Sequence, residues 1–432
     1  MSRVTAIQTN FTAGQLSPRL FGRVDLAKYS NGSSEITNLI VMPHGGLTRR
    51  PGTRFINETK DSDSKARLIP FQFSTIQAYC IEMGDEYMRF FKDQGTILEA
   101  NKTITAITRA NPGVVTSNGH GYNNGDLVFI SSVVGMVEVN NKYFEIASPD
   151  DKEDLFSIQY AQTADVMFLT HPLYAPRKLT RTDHTAWTIT EIVLDDGPYI
   201  DENITTTTMN PSGTTGSITI TASAVTGVNG GSGFLATDVG RIIRIGHQAT
   251  EWAGSTSFSV GDIRRNSGNV YQCIKAGTSD SSGGPSGELD EVVDNTVTWK
   301  FIDDGGIAQG HGKITARNSS TEVAVTVVKN FAASSAETKW RLGAFSGTTG
   351  FPSAVAFYEQ RLVFAGTVDQ PQTIFSSRSG DFENFSPSAL DDGAITVTIN
   401  TDQVNSIRWL SAGQKMAIGT SGGEYTFSSS GN

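Results

Sequence analysis

Three arginines beside a Pro-Gly turn are the residues whose type and spacing most clearly suggest chemistry. Arg49 and Arg50 precede Pro51 and Gly52, and Arg54 follows them. A guanidinium group can form two parallel hydrogen bonds with a carboxylate or a phosphate, so such a cluster can hold an acidic partner or a nucleic-acid phosphate. Ion pairing within the chain is the alternative, and the sequence favours neither one.

A second group of candidates is aromatic. Trp252, Tyr271 and Trp299 lie within residues 250–303. Exposed aromatic rings at a flat site stack on the apolar faces of sugar rings, while polar groups bind the hydroxyls at the edges. A module this small also needs large apolar side chains for its own core. Both interpretations, glycan contact and core, stay open at this stage.

The sequence shows no pattern typical of an enzyme or a metal site. His120 lies between two glycines, where a histidine is typically structural, and the acidic run at 150–154 is predicted to be a solvated surface. Cys80 and Cys273 are predicted to be small buried apolar residues. Because no nucleophile elbow, phosphate loop or metal-ligand spacing is present, we predict no catalytic residue, no metal and no cofactor.

Composition and charge set further limits. The chain has 432 residues, of which 34 are basic and 44 acidic, which gives a net charge of −10. Proteins that grip DNA through its phosphates are expected to be basic, whereas an acidic protein can let DNA pass. The N-terminus has no apolar core of signal-peptide type, and no run approaches the length of a membrane span. We therefore expect synthesis in a cytoplasm.

Short strands separated by turns dominate the chain. Residues 351–366 alternate as two strands about Glu359 and Gln360, each with one apolar face. Gly422 and Gly423 are predicted to form another hairpin turn. Further strands are predicted at 67–73, 77–83, 87–92, 238–246, 312–316, 322–328, 340–343, 395–399, 407–410 and 416–418.

One short helix is predicted near the N-terminus. Asp25 can cap it, although Gly32 and three serines weaken it. Its predicted buried side consists of Leu26, Tyr29, Ile36 and Leu39.

These elements predict a mainly β, multi-module protein with little helix. The body is propeller-like or sandwich-like, and small β-barrel or β-sandwich modules are inserted into it. The predicted segments are an N-terminal body segment at 1–103, an inserted module at 104–165, the first part of a β domain at 166–249, a nested module at 250–303, the second part of that domain at 304–350 and a propeller-like segment at 351–432.

Several motifs together resemble the tail tubular protein B family, the tail nozzle proteins of short-tailed bacteriophages. They are residues 11–18, Gly22-Arg23-Val24-Asp25, Gly45-Gly46 with Arg49-Arg50-Pro51-Gly52-Thr53, residues 67–71, residues 357–362, Gly380-Asp381-Phe382 and residues 419–425. The resemblance covers about residues 1–98 and 305–432. Residues 114–144 resemble FCCH-like β modules, and residues 250–303 resemble chitin-binding-like modules of phage tails.

The resemblance implies a structural virion protein of the phage tail, assembled in the host cytoplasm, and no enzyme. Such proteins form a ring, usually a hexamer, below the portal and adaptor, around the channel through which DNA leaves without specific binding. Other tail proteins such as fibres are further partners. The arginines that would dock an acidic surface of a neighbouring ring are Arg19, Arg23, Arg49, Arg50 and Arg54.

Two alternatives accompany this interpretation. The first is a tail module that binds host-surface glycan through residues 250–303. The second is a glycan depolymerase, which the absence of repeated β-helix rungs disfavours. A closed propeller needs about four blades of roughly 40 residues. Blade-like sequence is limited to 67–98 and 351–432. We therefore expect neighbouring copies or another polypeptide to complete the sheet arrangement, unless the chain is a shortened member.

Overall fold

The computed structural model of the chain is mainly β, with 45% of residues in strands and 4% in helices, which confirms the predicted fold class. It describes residues 8–60, 62–74, 77–85, 87–98, 101–108, 114–122, 127–130, 142–145, 155–387, 392–400 and 403–428. The acidic run at 150–154 and parts of the inserted module predicted at 104–165 lie outside these residues. The chain divides into two units, Met1–Glu58 and Thr59–Asn432.

The first unit consists of short strands and single helical turns. Its strands are β1 (Gly14–Gln15), β2 (Gly32–Ser33), β3 (Leu39–Val41) and β4 (Leu47–Arg49), and its 3-10 helices are Pro18–Leu20 and Tyr29–Asn31. β1 and β2 pair in parallel, whereas β3 and β4 form an antiparallel hairpin.

The prediction of a helix after Asp25 is wrong. Only one 3-10 turn forms, at Tyr29–Asn31, and Leu26 and Leu39 are exposed rather than buried. The turn ends where Gly32 enters β2. An added Cβ at this glycine would lie 2.5 Å from Cγ of Leu16, so the strand packs tightly there. Strand pairing therefore replaces the helix.

The strands of the larger unit follow one another with short connections. The first group is β5 (Arg67–Gln72), β6 (Ala78–Gly84), β7 (Tyr87–Lys92), β8 (Gly95–Thr96), β9 (Ala106–Ile107), β10 (Val115–Thr116), β11 (Leu127–Ile130), β12 (Lys142–Glu145), β13 (Gln159–Thr163), β14 (Val166–His171), β15 (Tyr174–Arg181), β16 (Trp187–Glu191), β17 (Met209–Pro211), β18 (Ser217–Ala222) and β19 (Ile242–Gln248). The second group is β20 (Ser257–Phe258), β21 (Ile263–Asn266), β22 (Asn269–Lys275), β23 (Gly277–Thr278), β24 (Val292–Asp294), β25 (Val297–Asp303), β26 (Ile307–Arg317), β27 (Glu322–Lys329), β28 (Trp340–Leu342), β29 (Ala354–Tyr358), β30 (Arg361–Ala365), β31 (Thr373–Ser376), β32 (Ile395–Thr398), β33 (Ile407–Ser411), β34 (Met416–Thr420) and β35 (Glu424–Phe427). Short 3-10 turns occur at Leu155–Ser157, Asn229–Gly231 and Ala236–Asp238.

The strands predicted from alternation are confirmed within a few residues. The largest shift is at 312–316, where β26 begins already at Ile307, and at 238–246 a 3-10 turn at Ala236–Asp238 delays the start of β19 to Ile242. The turn at Glu359 and Gln360 joins β29 to β30, and Gly422 and Gly423 lie between β34 and β35.

Four antiparallel sheets stack face to face in the larger unit. They consist of β5 to β8, β13 to β16, β29 to β32 and β33 to β35. One face of β14 carries Met167 into a core with the β5 to β8 sheet, and the other carries Phe168 into a core with the β29 to β32 sheet. Val363 and Ala365 then pack against the β33 to β35 sheet. Neighbouring blades of a propeller pack in the same manner.

This stacking changes two predictions. A blade-like sheet at 159–191 adds to the segments at 67–98 and 351–432 that the sequence suggested. The hairpin at 351–366 was predicted to have one apolar face, yet β30 is buried along its whole length. Both faces are buried because this sheet lies between two others.

A curled six-stranded sheet carries the nested module. Its strand order is β17-β18-β27-β26-β19-β28. β19 and β26 pair antiparallel up to Gln248 and Ile307, so residues 249–306 are inserted between two partnered strands. The insertion contains the four-stranded sheet β21-β22-β25-β24 and the pair β20-β23. Ile263 and Val270 of the insertion share a core with Ala308 of β26.

The cysteines only partly follow the prediction. Cys273 is buried in the core of the inserted sheet, as expected. Cys80 is half-buried, so that prediction is wrong for it. Burial raises the pKa of both thiols above the ordinary value.

The β29–β30 turn holds two side-chain-bearing residues in the left-handed region. The φ angles are 47° at Glu359 and 59° at Gln360. Two-residue hairpin turns prefer Asn-Gly because residues with a Cβ pay a steric cost there. Next to the turn, the buried Arg361 donates to the carbonyl oxygens of Ser377 at 2.7 Å and Gly393 at 2.5 Å. These bonds hold the turn in place despite its conformation.

We predict that Gln360→Gly stabilises the protein. Glycine adopts positive φ without the steric cost, so the free energy of unfolding should rise by about 1 kcal/mol. The change is measured by denaturant unfolding. Gln360→Ala keeps the Cβ and should give no gain. Equal effects of the two variants would contradict the strain argument.

Candidate functional site

Backbone hydrogen bonds, rather than a core, hold the first unit together. The amide of Phe11 donates to the carbonyl oxygen of Gly45 at 2.9 Å, and the amide of Leu16 donates to that of Ser33 at 2.9 Å. Among its described residues only Gly45 is buried. A unit that buries so little apolar surface gains little stability from its own packing.

Both faces of the β3–β4 hairpin are open. Leu39 lies opposite Arg49 in the antiparallel register, and Ile40 lies opposite Thr48, so the two apolar residues point to opposite faces. Leu39 is 42% exposed and Ile40 is 45% exposed. An isolated two-stranded hairpin is at best marginally stable in water. The hairpin therefore offers apolar surface on both faces to a partner.

The five predicted arginines are all exposed, but they are not equivalent. Arg23 forms an ion pair with Asp25 at 2.6 Å, which is the alternative that the sequence left open. Among the described residues, the side chains of Arg19, Arg49 and Arg50 have no ion-pair partner. Arg54 is exposed as well. The structure thus offers Arg19, Arg49 and Arg50 as available cations and gives Arg23 an internal role.

An apolar groove lies beside Arg19. It has a volume of about 330 Å³ and lies between the strand β1 and the turns that follow it. Its lining consists of Ala13, Gln15, Leu16, Ser17, Leu20, Leu26, Ala27 and Lys28. Phe21 and Val24 of the same unit are 49% and 79% exposed. Cations and apolar surface therefore occur together, as in protein interfaces.

The charge of the chain is divided unevenly. Residues 1–58 contain seven basic and three acidic residues, a net charge of +4. The remaining residues contain 27 basic and 41 acidic ones, a net charge of −14. Opposite charges on two surfaces favour their association and fix its orientation.

The aromatic residues predicted to contact glycan belong to the core of the inserted sheet instead. Trp299 is 0% exposed and Tyr271 is 1% exposed, so neither ring has a free face. The glycan-contact prediction is wrong for these two, because the small inserted sheet uses them as its core. Trp252 is half-buried against the same core.

Asp294 fixes both indoles of the inserted sheet. Its Oδ2 accepts a hydrogen bond from Nε1 of Trp252 at 2.8 Å and another from Nε1 of Trp299 at 3.1 Å. The amide of Asp280 donates to Oδ1 at 2.8 Å. These bonds satisfy a buried carboxylate and orient the rings inward.

A buried charged cluster escaped the sequence analysis. Asp196 accepts a hydrogen bond from the hydroxyl of Tyr199 at 2.5 Å, and its Oδ1 lies 3.6 Å from Nδ1 of His311 and 3.9 Å from a terminal nitrogen of Arg244. The residues come from distant segments. Only the alternation of Arg244 with Ile243 and Ile245 in β19 gave a signal, since a charged residue between two core residues must face another surface.

The charges in this cluster affect each other. Burial opposes the ionisation of Asp196, but His311, Arg244, the Tyr199 hydroxyl and Lys329 hold its pKa below the ordinary value. Burial lowers the pKa of His311. Nε2 of His311 lies 2.7 Å from the carbonyl oxygen of Asp195, and a carbonyl only accepts, so Nε2 carries the proton.

Other predicted features lie in turns or surfaces. His120 is exposed, and its Nδ1 accepts a hydrogen bond from the amide of Tyr122 at 2.9 Å, which is a local turn contact. Within the described residues no group of three His, Cys, Asp or Glu side chains is arranged to hold a metal ion. In the same part of the chain, no helix combines the length and the apolar character needed to cross a membrane.

No protein-family model matches the sequence, and no curated protein matches it significantly.

We predict that Trp299→Ala destabilises the inserted sheet. Removing a fully buried indole leaves a cavity, which should lower the free energy of unfolding by about 3–5 kcal/mol. Leu289→Ala, in the same segment but 65% exposed, should change it by less than about 0.5 kcal/mol. Denaturant unfolding measures both, and a Trp299→Ala variant as stable as the parent would contradict the core assignment.

We also predict that the free energy of unfolding depends on pH through His311. The pKa of His311 is lowered from 6.5 on folding, so the unfolded chain takes up a proton more readily. Its contribution to stability is fully present above pH 6.5 and is lost as the pH falls below this value, with a slope of at most about 1.4 kcal/mol per pH unit. His311→Gln keeps a donor for the Asp195 carbonyl but does not titrate. Unfolding between pH 7.5 and 5.5 should show a smaller loss for this variant, and identical slopes would contradict the assignment.

Proposed function

We propose that this chain is a structural subunit of a bacteriophage tail, a nozzle ring that docks below the portal and adaptor and surrounds the channel for genome ejection. One observation carries the proposal. Among its described residues, the first unit exposes unpaired arginines (Arg19, Arg49 and Arg50) and apolar side chains together, and it has almost no core. The motifs at 11–25, 45–53 and 357–362, which resemble tail nozzle proteins, support the same function.

The proposed role is assembly rather than chemistry. A unit without a core gains stability when a partner covers its apolar surface. Arg19, Arg49 and Arg50 would donate paired hydrogen bonds to carboxylates of the neighbouring surface. Because the larger unit carries a net charge of −14, copies of this chain offer acidic surface. A homo-oligomeric ring, with six copies as the family resemblance implies, is the assembly that we propose.

DNA passage follows from the same charge distribution. A duplex binds tightly where many basic side chains neutralise its phosphates. The chain as a whole has a net charge of −10, which disfavours tight non-specific binding. In the proposed virion the DNA would therefore slide through the ring without being held.

Host-glycan binding receives less support. That alternative rested on Trp252, Tyr271 and Trp299, of which Tyr271 and Trp299 have no exposed ring face. Trp252 alone offers one partly covered ring. The inserted sheet is better explained as a folded module attached to β19 and β26.

We predict that Arg49→Glu combined with Arg50→Glu leaves the chain folded and weakens assembly. Both side chains are exposed and make no ion pair among the described residues, so the fold does not depend on them. Reversing two charges at an interface should weaken association at least about tenfold. Sedimentation or native mass spectrometry, with and without the adaptor ring, measures the assembled fraction.

A matched control separates docking from net charge. Arg177→Glu combined with Arg408→Glu makes the same change of charge at two exposed positions of the larger unit. This control should assemble like the parent chain. Equal loss in both double variants would indicate a general charge effect, and full assembly of the Arg49 and Arg50 variant would contradict the docking role. A parent chain that stays monomeric even with the adaptor ring would overturn the nozzle proposal.

A further inference from the structure

Four basic side chains stand opposite each other across four neighbouring strands. Lys329 of β27 pairs with His311 of β26, His311 pairs with Arg244 of β19, and Arg244 pairs with Arg341 of β28. Residues directly opposite in antiparallel strands point to the same face. The sheet therefore carries a row of basic residues, here called the basic row, on the face opposite the core formed by Ile243 and Ile245.

Like charges in directly opposite positions destabilise a sheet unless anions compensate for them. At the inner end of the basic row, Asp196 lies close to His311 and Arg244 and compensates for their charge. Lys329 also interacts electrostatically with Asp303. At the outer end the one anion paired with Arg341 among the described residues is Glu202, whose Oε2 lies 3.5 Å from Nε of the arginine, and both side chains are partly exposed. Compensation is thus weakest at the outer end of the row.

A small polar cavity lies at that outer end. Its volume is about 60 Å³. Three cations, Arg244, Lys339 and Arg341, line it together with one carboxylate, Glu202. The remaining lining residues are Gln309, Trp340 and Pro387. The cavity therefore has an excess of positive charge.

Two contacts fix the orientation of the Arg244 side chain at this cavity. Its Nε donates to Oε1 of Gln309 at 3.2 Å, and its guanidinium lies over the ring of Tyr199, 5.4 Å from the centroid. The terminal nitrogen that lies 3.9 Å from Asp196 is buried and has no hydrogen-bond partner among the described residues, because that separation is too long for a hydrogen bond. Asp196 approaches this nitrogen without forming a hydrogen bond, so a second anion that can accept a hydrogen bond from it is favoured.

We propose that this cavity is a binding site for a small tetrahedral oxyanion of the phosphate class, held by Arg244, Arg341 and Lys339. Sites for drug-sized ligands measure about 300–1,000 Å³, so a sugar or a nucleotide does not fit inside. A phosphate group has the size and charge that the cavity accepts, and arginine pairs bind it with two parallel bonds. The site does not depend on ring assembly, so it goes beyond the proposed function.

Calorimetric titration of the full chain with inorganic phosphate at constant ionic strength tests the proposal. We expect saturable binding of one phosphate per chain. Arg341→Gln and Lys339→Gln, both at the partly exposed rim, should each weaken binding about tenfold. Glu202→Gln removes the competing carboxylate and should strengthen it several-fold. Lys275→Gln, an exposed lysine of the inserted sheet with the same loss of charge, should bind like the parent chain.

The source of the phosphate is tested in a second arm. A short single-stranded oligonucleotide without terminal phosphates replaces inorganic phosphate in the titration. Binding that also weakens in Arg341→Gln assigns the site to a nucleic-acid backbone, whereas binding of inorganic phosphate alone assigns it to the free ion. Absence of saturable binding by either ligand, or unchanged affinity in both rim variants, would overturn the proposal.

Discussion

The pairing of β19 with its two neighbours is the interaction on which the larger unit most depends. β19 lies between β26 and β28, and the inserted sheet begins where β19 ends. A fully buried ion pair fixes its start, because Arg241 lies 2.9 Å from Asp238 and also donates to the carbonyl oxygen of Gly343. Removing one partner of such a pair leaves an uncompensated charge, which costs about 3–5 kcal/mol. The register of the whole six-stranded sheet is therefore tied to this point.

That register has opposite consequences on the two faces of the sheet. Ile243 and Ile245 fill the core on one face, and the residue between them, Arg244, must then point to the other. A slip of one residue would exchange the two sets, so the register is strongly specified. The basic row follows from the same constraint, because strands that align their apolar residues on one side also align Lys329, His311 and Arg341 on the other.

The local alternation of apolar and polar residues predicted several of the strands, but it did not predict how the sheets pack. Alternation located β5 to β7, β27 to β30 and β32 to β34 closely, because side-chain period is a local property. It assigned one apolar face to the hairpin at Glu359 and Gln360, and the second buried face depends on a sheet far along the chain. The prediction that Trp299 contacts a glycan was wrong for a related reason. A tryptophan can fill a core or lie at a binding surface, and residue type alone does not distinguish the two. That Arg49 and Arg50 form no ion pair within the described part of the chain could not be predicted either, because ion pairing depends on distant neighbours.

Buried cores stabilise the larger unit, whereas the first unit leaves apolar side chains exposed, and this difference bears on assembly. The larger unit has stacked cores such as the one around Phe364 and Phe375, whose residues come from the unit itself. The first unit has open apolar side chains, including Leu39 and Ile40, and a net charge of +4. Salt weakens attraction between exposed charges at separations beyond about 8–10 Å, whereas buried apolar contacts persist. In the proposed ring, charge would guide the first unit to its neighbour and apolar burial would keep it there.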